Sequence, residues 1–228
     1  MRQPSQAIGL LLSGGLDSAI LLAHLLDSGR AVQPFYVQCG LVWQECEQAA
    51  VRGLLREIAS PRLSPLVVLD MPVADLYDEH WSVTGRQPPG RHTPDEAMYL
   101  PGRNPLLLIK AALWCRLRGI DQIALASLRT NPFGDATCAF FDQFQAALNQ
   151  ATGGDVRIVR PFEHFTKQQV LELGRRYPLA HTFSCVAPVE GLHCGGCNKC
   201  AERQNAFRSA RLIDPTTYAT TAASGIAS

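Results

Sequence analysis

Apolar residues along the chain occur in two kinds of pattern, short continuous runs and stretches with helical spacing. The runs are typical of buried strands, and the spaced stretches are typical of amphipathic helices. Five strands are predicted, at Ile8–Leu12, Ala31–Val37, Leu66–Leu69, Gln122–Ala126 and Val156–Arg160. Five helices are predicted, at Ser18–Ser28, Cys46–Ala59, Pro105–Arg118, Cys138–Ala151 and Thr166–Arg176. Their alternation predicts an α/β fold with a parallel sheet, right-handed crossovers and helices on both faces.

The first predicted strand runs directly into a loop whose residues 13–18 read Ser-Gly-Gly-Leu-Asp-Ser. The adjacent glycines Gly14 and Gly15 allow a ligand to approach the backbone closely. The free amides of the loop and the positive end of the following helix favour a phosphate group. Ser13 and Ser18 add hydroxyl donors. The loop therefore predicts an anion-binding site.

A plain strand-to-helix turn would also explain this loop, with Ser13, Asp17 or Ser18 as a helix cap and no ligand. The loop lacks the lysine of a Walker A motif and the glycine spacing of a dinucleotide-binding fingerprint. The complete string after a strand resembles the pyrophosphate loop of the N-type ATP pyrophosphatases, which split ATP into AMP and pyrophosphate. In that setting Asp17 is placed to hold a divalent cation beside the phosphates.

Between residues 71 and 102 the periodic pattern is lost, and glycine and proline are frequent. An irregular stretch of this length in a compact domain is usually functional or partly disordered. Because nucleotide sites form at the carboxyl ends of parallel strands, the segment is a candidate lid over such a site. The less favoured alternative is a mobile surface excursion.

Two basic residues stand where they could reach a phosphate group. Lys167 begins a predicted helix shortly after the fifth strand, and Arg103 precedes the helix that starts at Pro105. Asn104 is predicted to cap that helix, with Pro105 in its first turn. Taken singly, each basic residue could be an ordinary solvated surface charge. Together with residues 13–18 they form a set of phosphate-binding candidates.

Four of the eight cysteines, Cys185, Cys194, Cys197 and Cys200, lie close together near the end of the sequence. Two overlapping C-x-x-C steps and one more distant thiol supply four soft ligands, which suits a closed tetrahedral zinc site. His193 is a rival fourth ligand. The same spacing is compatible with a redox dithiol, with buried free thiols or with an iron–sulfur cluster. A closed site predicts a structural zinc that holds the C-terminal segment in place.

Composition narrows the function classes. The chain has 228 residues, 46% of them hydrophobic, which suits one domain with a small appendage. We expect a nucleotide-binding α/β domain at 1–180, a zinc-binding segment at 181–214 and a flexible tail at 215–228.

With 21 Lys and Arg against 20 Asp and Glu, no strong electrostatic field favours binding to nucleic acid or to an anionic membrane. No apolar run could span a bilayer and the N-terminus lacks a signal-peptide pattern, so a cytoplasmic protein is expected.

The motifs together point to one branch of the pyrophosphate-loop superfamily. They occur in the order seen in the 7-cyano-7-deazaguanine synthase family of queuosine biosynthesis, namely Ser13–Ser18, Pro101–Asn104 (Pro-Gly-Arg-Asn), Thr166-Lys167, Ser184-Cys185 and Cys194–Cys200. The resemblance runs from about Ile8 to Asp214. It implies an adenine-nucleotide α-hydrolase-like fold with a small zinc-binding C-terminal segment.

The resemblance also implies an activity. The carboxylate of 7-carboxy-7-deazaguanine would be adenylated by ATP, and ammonia would displace AMP to give an amide. A second adenylation, on the amide oxygen, would allow dehydration to the nitrile. ATP, Mg²⁺ and Zn²⁺ would be required, nucleic acid and membrane would not be partners, and the sequence leaves a homodimer open.

Carried over residue by residue, the resemblance assigns two sets of site residues. ATP would be bound by Leu12, Ser13, Gly14, Gly15, Asp17, Ser18, Arg103 and Lys167. Of these, Asp17, Arg103 and Lys167 would stabilise charge on the departing pyrophosphate, with Mg²⁺ near Asp17. Zinc would be bound by Cys185, Cys194, Cys197 and Cys200.

Two segments depart from the family's pattern. The family usually has Tyr-Gly-Gln after the second strand, where this chain reads Cys39-Gly40-Leu41. It also has an aromatic and acidic segment ending near Asp-Cys-Arg, where this chain has the different residues 129–138. The resemblance implies that both segments belong to the part of the site that handles the acceptor. Two further functions therefore stay open: a pyrophosphate-loop enzyme that adenylates another carboxylate or a tRNA base, and a nucleotide-binding protein without turnover.

Overall fold

Five parallel strands form the centre of the protein, in the order β3-β2-β1-β4-β5. The computed structural model describes residues 7–219. The strands are β1 (Ala7–Leu11), β2 (Ala31–Gln38), β3 (Val67–Asp70), β4 (Gln122–Ala124) and β5 (Arg157–Val159). Every neighbouring pair is parallel, so the carboxyl ends of all five strands open at one edge of the sheet.

Eight α-helices lie within residues 7–219. They are α1 (Leu16–Asp27), α2 (Gln44–Glu57), α3 (Ala74–Tyr77), α4 (Trp81–Thr84), α5 (Arg103–Leu117), α6 (Cys138–Thr152), α7 (Lys167–Gly174) and α8 (Asn198–Ser209). Short 3₁₀ turns occur at Asp95–Met98, Gly134–Ala136 and Leu179–His181. Among these helices none combines the length and the apolar character needed to cross a lipid bilayer.

A packed layer of helices covers each face of the sheet. Ile8 and Leu10 of β1 belong to a core shared with α1, α7 and α8, whereas Leu11 packs against a second core shared with α5 and α6. This alternation follows from the two-residue repeat of a strand. Leu11 pairs with Phe35 of β2, so the two central strands end close together.

The structure confirms the predicted fold class, and all five predicted strands and five predicted helices are present. The observed ends of these elements differ from the predicted ends by a few residues. For example, β4 ends at Ala124, although the Leu125 amide still donates to the Val159 carbonyl at 3.2 Å. The sequence pattern does not predict α8. Its buried positions include Asn198 and Arg203, and these polar residues hide the apolar helical spacing that marks the other helices.

The irregular segment 71–102 is fastened to the cysteine-bearing segment. Gly90 forms an antiparallel bridge with Cys197, and the Asn198 amide donates to the Pro89 carbonyl at 2.9 Å. The Arg91 guanidinium donates to the Gly195 carbonyl at 2.6 Å. The segment thus covers the carboxyl edge of the sheet and is held there by the C-terminal part of the chain, instead of running as a surface excursion.

The last described residues also make specific contacts. The Ala219 amide donates to the His193 carbonyl at 2.8 Å, and the Tyr218 hydroxyl donates to Asp214 at 2.5 Å. The buried Arg203 donates to the Thr216 hydroxyl at 2.5 Å. Residues 215–219 are therefore anchored. The rest of the predicted tail, 220–228, lies outside the described residues.

Candidate active site

The loop after β1 has the geometry of an anion site. Gly14 has a φ of +82°, and a Cβ there would lie 2.8 Å from the Glu47 carbonyl oxygen, so glycine is required at this position. Gly15 is the N-cap of α1, and no side chain caps the helix. The turn is therefore not explained by a serine or aspartate cap, and the first amides of α1 face the cavity described below.

The polar side chains of this loop are those of Ser13, Ser18 and Asp17. The Ser13 and Ser18 hydroxyl oxygens are 3.1 Å apart, and the Ser18 hydroxyl also contacts the Gly15 carbonyl at 3.1 Å. The Lys167 ammonium donates to Asp17 Oδ2 at 2.7 Å. The other carboxylate oxygen of Asp17 is buried and has no hydrogen-bond partner among residues 7–219. The loop and the predicted lysine therefore meet, although 150 positions separate Asp17 from Lys167.

Lys167 is positioned by the start of α7. Thr166 caps this helix and forms a reciprocal capping box with Gln169, which fixes the direction in which Lys167 leaves the backbone. Burial works against the charge on Lys167, but the carboxylates of Asp17 and Glu202 raise its pKa. The lysine is therefore an ammonium ion at neutral pH.

Two charged residues of α8 join this network. Glu202 lies 3.3 Å from Lys167 and 2.5 Å from Lys199. Although burial opposes ionisation, the two lysines lower the pKa of Glu202 to about 2. Lys199 and Glu202 carry no signal in the sequence, because the helix that presents them is not predicted there.

Arg103 is the first residue of α5, after Gly102 in a left-handed conformation with a φ of 73°. Its Nε atom is buried without a partner in the described part of the chain. Asn104 does not cap the helix, so that prediction is wrong. Instead the Asn104 amide donates to the Asp135 carboxylate at 3.0 Å, and Gly102 is the N-cap. A carboxylate from a distant segment thus does the capping.

These residues surround a single cavity of about 270 Å³. Ser13, Asp17, Lys167 and Arg103 contribute polar and charged groups to its lining. Four aromatic residues that also line it, which we call the aromatic wall, are Trp43, Trp81, Tyr99 and Phe133. The indoles of Trp43 and Trp81 stack with centroids 5.7 Å apart, and the rings of Tyr99 and Phe133 are 5.1 Å apart. The wall offers flat apolar surface suited to a planar ligand.

A small apolar recess adjoins the cavity at the ends of β1 and β2. It shares Ser13, Glu47 and Arg103 with the cavity and is lined by side chains such as Leu12 and Val37. Its wall is mostly apolar, and it lies directly beside the loop. The recess and the loop therefore form two parts of one elongated site.

Glu47, on the first turn of α2, is a further cavity residue that the sequence pattern does not mark. Its carboxylate accepts a hydrogen bond from the Tyr36 hydroxyl at 2.9 Å. Burial raises the pKa of Glu47 to about 7, against the opposing effects of Arg103, Tyr36 and Trp43. In sequence Glu47 is one of two acids in the first turn of a helix, so only its partial burial and its contact with Tyr36 distinguish it.

The four clustered cysteines converge as a metal site would require. Their sulfur atoms all lie within 4.8 Å of one another. The Cys185–Cys197 and Cys194–Cys200 sulfur distances are 3.8 and 3.9 Å, far beyond a disulfide bond of about 2.0 Å. A tetrahedral zinc with Zn–S bonds of about 2.3 Å requires sulfur atoms about 3.8 Å apart. The donor set therefore fits a four-thiolate metal ion.

Backbone amides support the same four sulfur atoms. Cys185 Sγ accepts from the Ala187 and Cys194 amides at 3.3 Å, and Cys197 Sγ caps α8 through the Cys200 amide at 3.4 Å. His193 is not part of the group: its Nε2 accepts the Ser184 amide at 3.1 Å, and burial lowers the pKa of His193 to about 4. The cysteine set is therefore complete without the histidine.

The sheet order, the loop and the lysine at the carboxyl edge define an α/β protein of the pyrophosphate-loop type. The sequence matches the family described as queuosine biosynthesis protein QueC over residues 7–211, and the chain belongs to this family. It is 31% identical to the 7-cyano-7-deazaguanine synthase of Desulfotalea psychrophila, covering 92% of this chain and 97% of the relative. It is 32% identical to the 7-cyano-7-deazaguanine synthase of Paracoccus denitrificans, and the match covers 92% of this chain and 91% of the relative.

Similarity to solved structures includes one with the same fold. It is a complex described as a 4-thiouridine synthetase with RNA and bound ATP, with a TM-score of 0.53 and 16% sequence identity, covering 90% of this chain and 50% of that one. The predicted family, and with it the expectation of a biosynthetic enzyme of the queuosine pathway, is confirmed.

Proposed function

We propose that this protein is an ATP-dependent ligase that converts 7-carboxy-7-deazaguanine and ammonia to 7-cyano-7-deazaguanine. The observation that carries the proposal is the single cavity, which joins the loop, Arg103 and Lys167 to the aromatic wall. An anion-binding side and a flat apolar side in one cavity suit the joining of a triphosphate to a planar heteroaromatic acid. The names of the curated relatives support this acceptor.

In this proposal the phosphates of ATP lie at the start of α1, and the adenine occupies the apolar recess beside it. The residues assigned to ATP are Leu12, Ser13, Gly14, Gly15, Asp17, Ser18, Arg103 and Lys167, and all of them except Gly14 and Ser18 line the cavity or the recess. The buried, unpartnered oxygen of Asp17 suits Mg²⁺, which prefers carboxylate ligands. The bound ATP named for the 4-thiouridine synthetase complex supports ATP binding by this fold.

A carboxylate is a poor electrophile, so the first task of the site is to transfer AMP to it. Lys167 and Arg103 place positive charge where pyrophosphate departs, and the loop amides add donors fixed by the fold. Ammonia then displaces AMP to give the amide. In a second round the amide oxygen receives AMP, and loss of AMP with the remaining N–H protons leaves the nitrile. The same phosphate site serves both rounds.

Zinc would be held by Cys185, Cys194, Cys197 and Cys200 and would have a structural role, since four thiolates leave no position open to a substrate. The bonds to zinc would fix the start of α8, which presents Lys199 and Glu202. They would also fix the contact of Cys197 with the irregular segment 71–102.

A second candidate function is the same ATP chemistry on another planar acid. One observation favours it: Asn131, Phe133 and Asp135 line the cavity and belong to the segment 129–138 that departs from the family's pattern. The two candidates differ only in the acceptor.

The test is to incubate the purified protein with Mg-ATP, ammonium and 7-carboxy-7-deazaguanine and to follow AMP, pyrophosphate and products by mass spectrometry. We expect nitrile formation with two AMP released for each nitrile, and none when any component is omitted. AMP that forms only with a different heteroaromatic acid would favour the second candidate. Nucleotide binding without AMP formation for any acceptor would indicate a non-catalytic protein.

A further inference from the structure

Glu47 is a cavity carboxyl group to which the ATP chemistry above gives no role. Four carboxyl side chains line the cavity: Asp17, Glu47, Asp135 and Glu202. Asp17 is ion-paired with Lys167 at 2.7 Å, and Glu202 is ion-paired with Lys199 at 2.5 Å. Asp135 accepts the Asn104 amide. Within residues 7–219, Glu47 is the carboxylate of this set whose hydrogen-bond donor is a neutral side chain, the Tyr36 hydroxyl.

One hydrogen bond fixes the orientation of Glu47: the Tyr36 hydroxyl donates to Oε2 at 2.9 Å. The Trp43 indole also acts on this carboxyl group, because it lowers the pKa of Glu47. Tyr36 and Trp43 are both buried, so water does not freely replace either side chain beside Glu47. The carboxylate is thereby held at the boundary between the cavity and the adjoining recess, beside Ser13 and Arg103.

The amide-forming step needs a group of this kind. In neutral solution ammonia is present mainly as ammonium ion, which has no lone pair with which to attack a carbonyl carbon. A positioned carboxylate both attracts ammonium and removes a proton from it. The stacked indoles of Trp43 and Trp81 adjoin the same space, and their faces attract small cations.

We propose that Glu47 binds the ammonium ion and acts as the base that converts it to ammonia. The proposal rests on the proposed function. An N–H bond of ammonium breaks and an O–H bond forms on Glu47, and the freed lone pair forms the C–N bond to the adenylated carboxyl carbon. The C–O bond to AMP breaks, and AMP leaves with the electron pair. A second nitrogen proton passes to water.

Burial places the pKa of Glu47 at about 7, which suits a base that works near neutral pH. The charged and titratable groups that face it are Arg103 on α5, Tyr36 on β2, and Cys39 and Cys46 near the start of α2. Burial raises the pKa of Tyr36 and of both cysteines. Glu47 is therefore the group of this set that titrates near neutrality.

The decisive experiment compares two nucleophiles in Glu47→Gln. Hydroxylamine is a much weaker base than ammonia and is largely uncharged at neutral pH, so it needs no deprotonation before it attacks. We expect kcat/KM for ammonium, measured by AMP release, to fall about 100-fold, and that for hydroxylamine to stay close to the wild-type value. Glu45→Gln, which alters an exposed acid on the same helix, should affect neither.

Three results would count against this assignment or its premise. Equal losses for both nucleophiles, with a raised KM for the acceptor, would show that Glu47 binds the acceptor and would overturn the proposal. Unchanged rates with ammonium would also overturn it. A wild-type protein that forms no AMP from 7-carboxy-7-deazaguanine would instead refute the proposed function on which the inference rests.

Tyr36→Phe provides an independent measurement should Glu47→Gln fail to fold. The hydrogen bond from Tyr36 lowers the pKa of Glu47, so its loss should move the acid limb of the pH–rate profile for ammonium to higher pH. The profile for hydroxylamine should not move. An acid limb that stays in place for ammonium, or moves equally for both nucleophiles, would contradict the role of Glu47.

Discussion

The two sides of the cavity are built in different ways. The phosphate side, which we define as residues 12–18 with Arg103 and Lys167, comes from a strand end, a helix start and the first residues of two further helices. The aromatic wall comes largely from irregular chain: Tyr99 and Phe133 lie outside α-helices and strands, and Trp81 is on a four-residue helix. One side is part of the sheet architecture and the other is attached to it.

This difference reflects what each side has to recognise. A phosphate group can be bound by backbone amides and a single ammonium ion, which a short motif at a helix start supplies. A particular heteroaromatic acid needs surface of a particular shape, which long irregular segments can vary without disturbing the sheet. The cysteine-bearing segment fastens this variable side through Gly90 and Cys197. Perturbing one side should therefore show whether the other responds.

The largest expected effect is on stability and follows from loss of the zinc site. Elemental analysis of the purified protein should find about one zinc per chain. Cys197→Ser should abolish this zinc and lower Tm by more than about 10 °C, because losing a structural metal costs several kcal/mol and 1 kcal/mol corresponds to about 2–4 °C in a protein of this size. Hydrogen exchange should rise in 89–102 and stay low in β1.

Cys138→Ser is the matched control, because Cys138 is exposed and lies outside the metal-binding group. It should leave both zinc content and Tm unchanged. A zinc-free protein, or a Cys197→Ser variant with wild-type Tm, would contradict the structural role of zinc. Exchange that rises equally in β1 would show that the two sides do not unfold separately.

The next effect is on the phosphate side. Asp17→Ala should lower kcat about 1000-fold, because Asp17 holds Lys167 and is the proposed Mg²⁺ ligand where charge develops. The circular dichroism spectrum and Tm should stay near wild type. Asp27→Ala is the control: Asp27 lies at the other end of α1 in an exposed ion pair with Arg176, which contributes little. Full activity of Asp17→Ala would remove Asp17 from the site.

The contrast between the two sides also explains how much could be predicted from the sequence. The sheet, the loop, Lys167 and the four cysteines are local patterns, because periodicity, a fixed string or fixed spacing encodes each of them. The aromatic wall depends on contacts between residues such as Trp43 and Trp81, which lie 38 positions apart with α2, β3 and α3 between them. The buried partners of Glu47 and the helix that carries Lys199 are likewise visible only after folding.

A smaller effect concerns the pH dependence of stability. The folded-state pKa of Glu47 is about 7, above its ordinary value of about 4.3. Stability from protonated Glu47 is therefore fully present below about pH 4 and is lost as the pH rises through about 7. The Glu47→Gln protein has no carboxyl group at this position and does not lose this stability. The difference in free energy of unfolding between Glu47→Gln and wild type should therefore shift in favour of the variant by about 3 kcal/mol from about pH 5 to pH 8.

Urea denaturation of both proteins across this pH range would measure the difference. Glu45→Gln is again the control, since the exposed Glu45 should give no such trend. A constant difference between Glu47→Gln and wild type would show that the pKa of Glu47 is not raised. That result would also weaken the assignment of Glu47 as the base.

The smallest effect tests whether the two sides of the cavity bind independently. Trp81→Ala removes an indole that stacks on Trp43 at 5.7 Å, and such contacts contribute about 1 kcal/mol or more. The KM for the acceptor should rise about 10-fold, equivalent to about 1.4 kcal/mol, while the KM for ATP should change little. Phe144→Ala removes a ring stacked on Phe140 outside the cavity and should alter neither constant. A parallel rise in the KM for ATP would show that the wall also positions the nucleotide, and the phosphate side could then not be treated as a unit that keeps its function while the acceptor side varies.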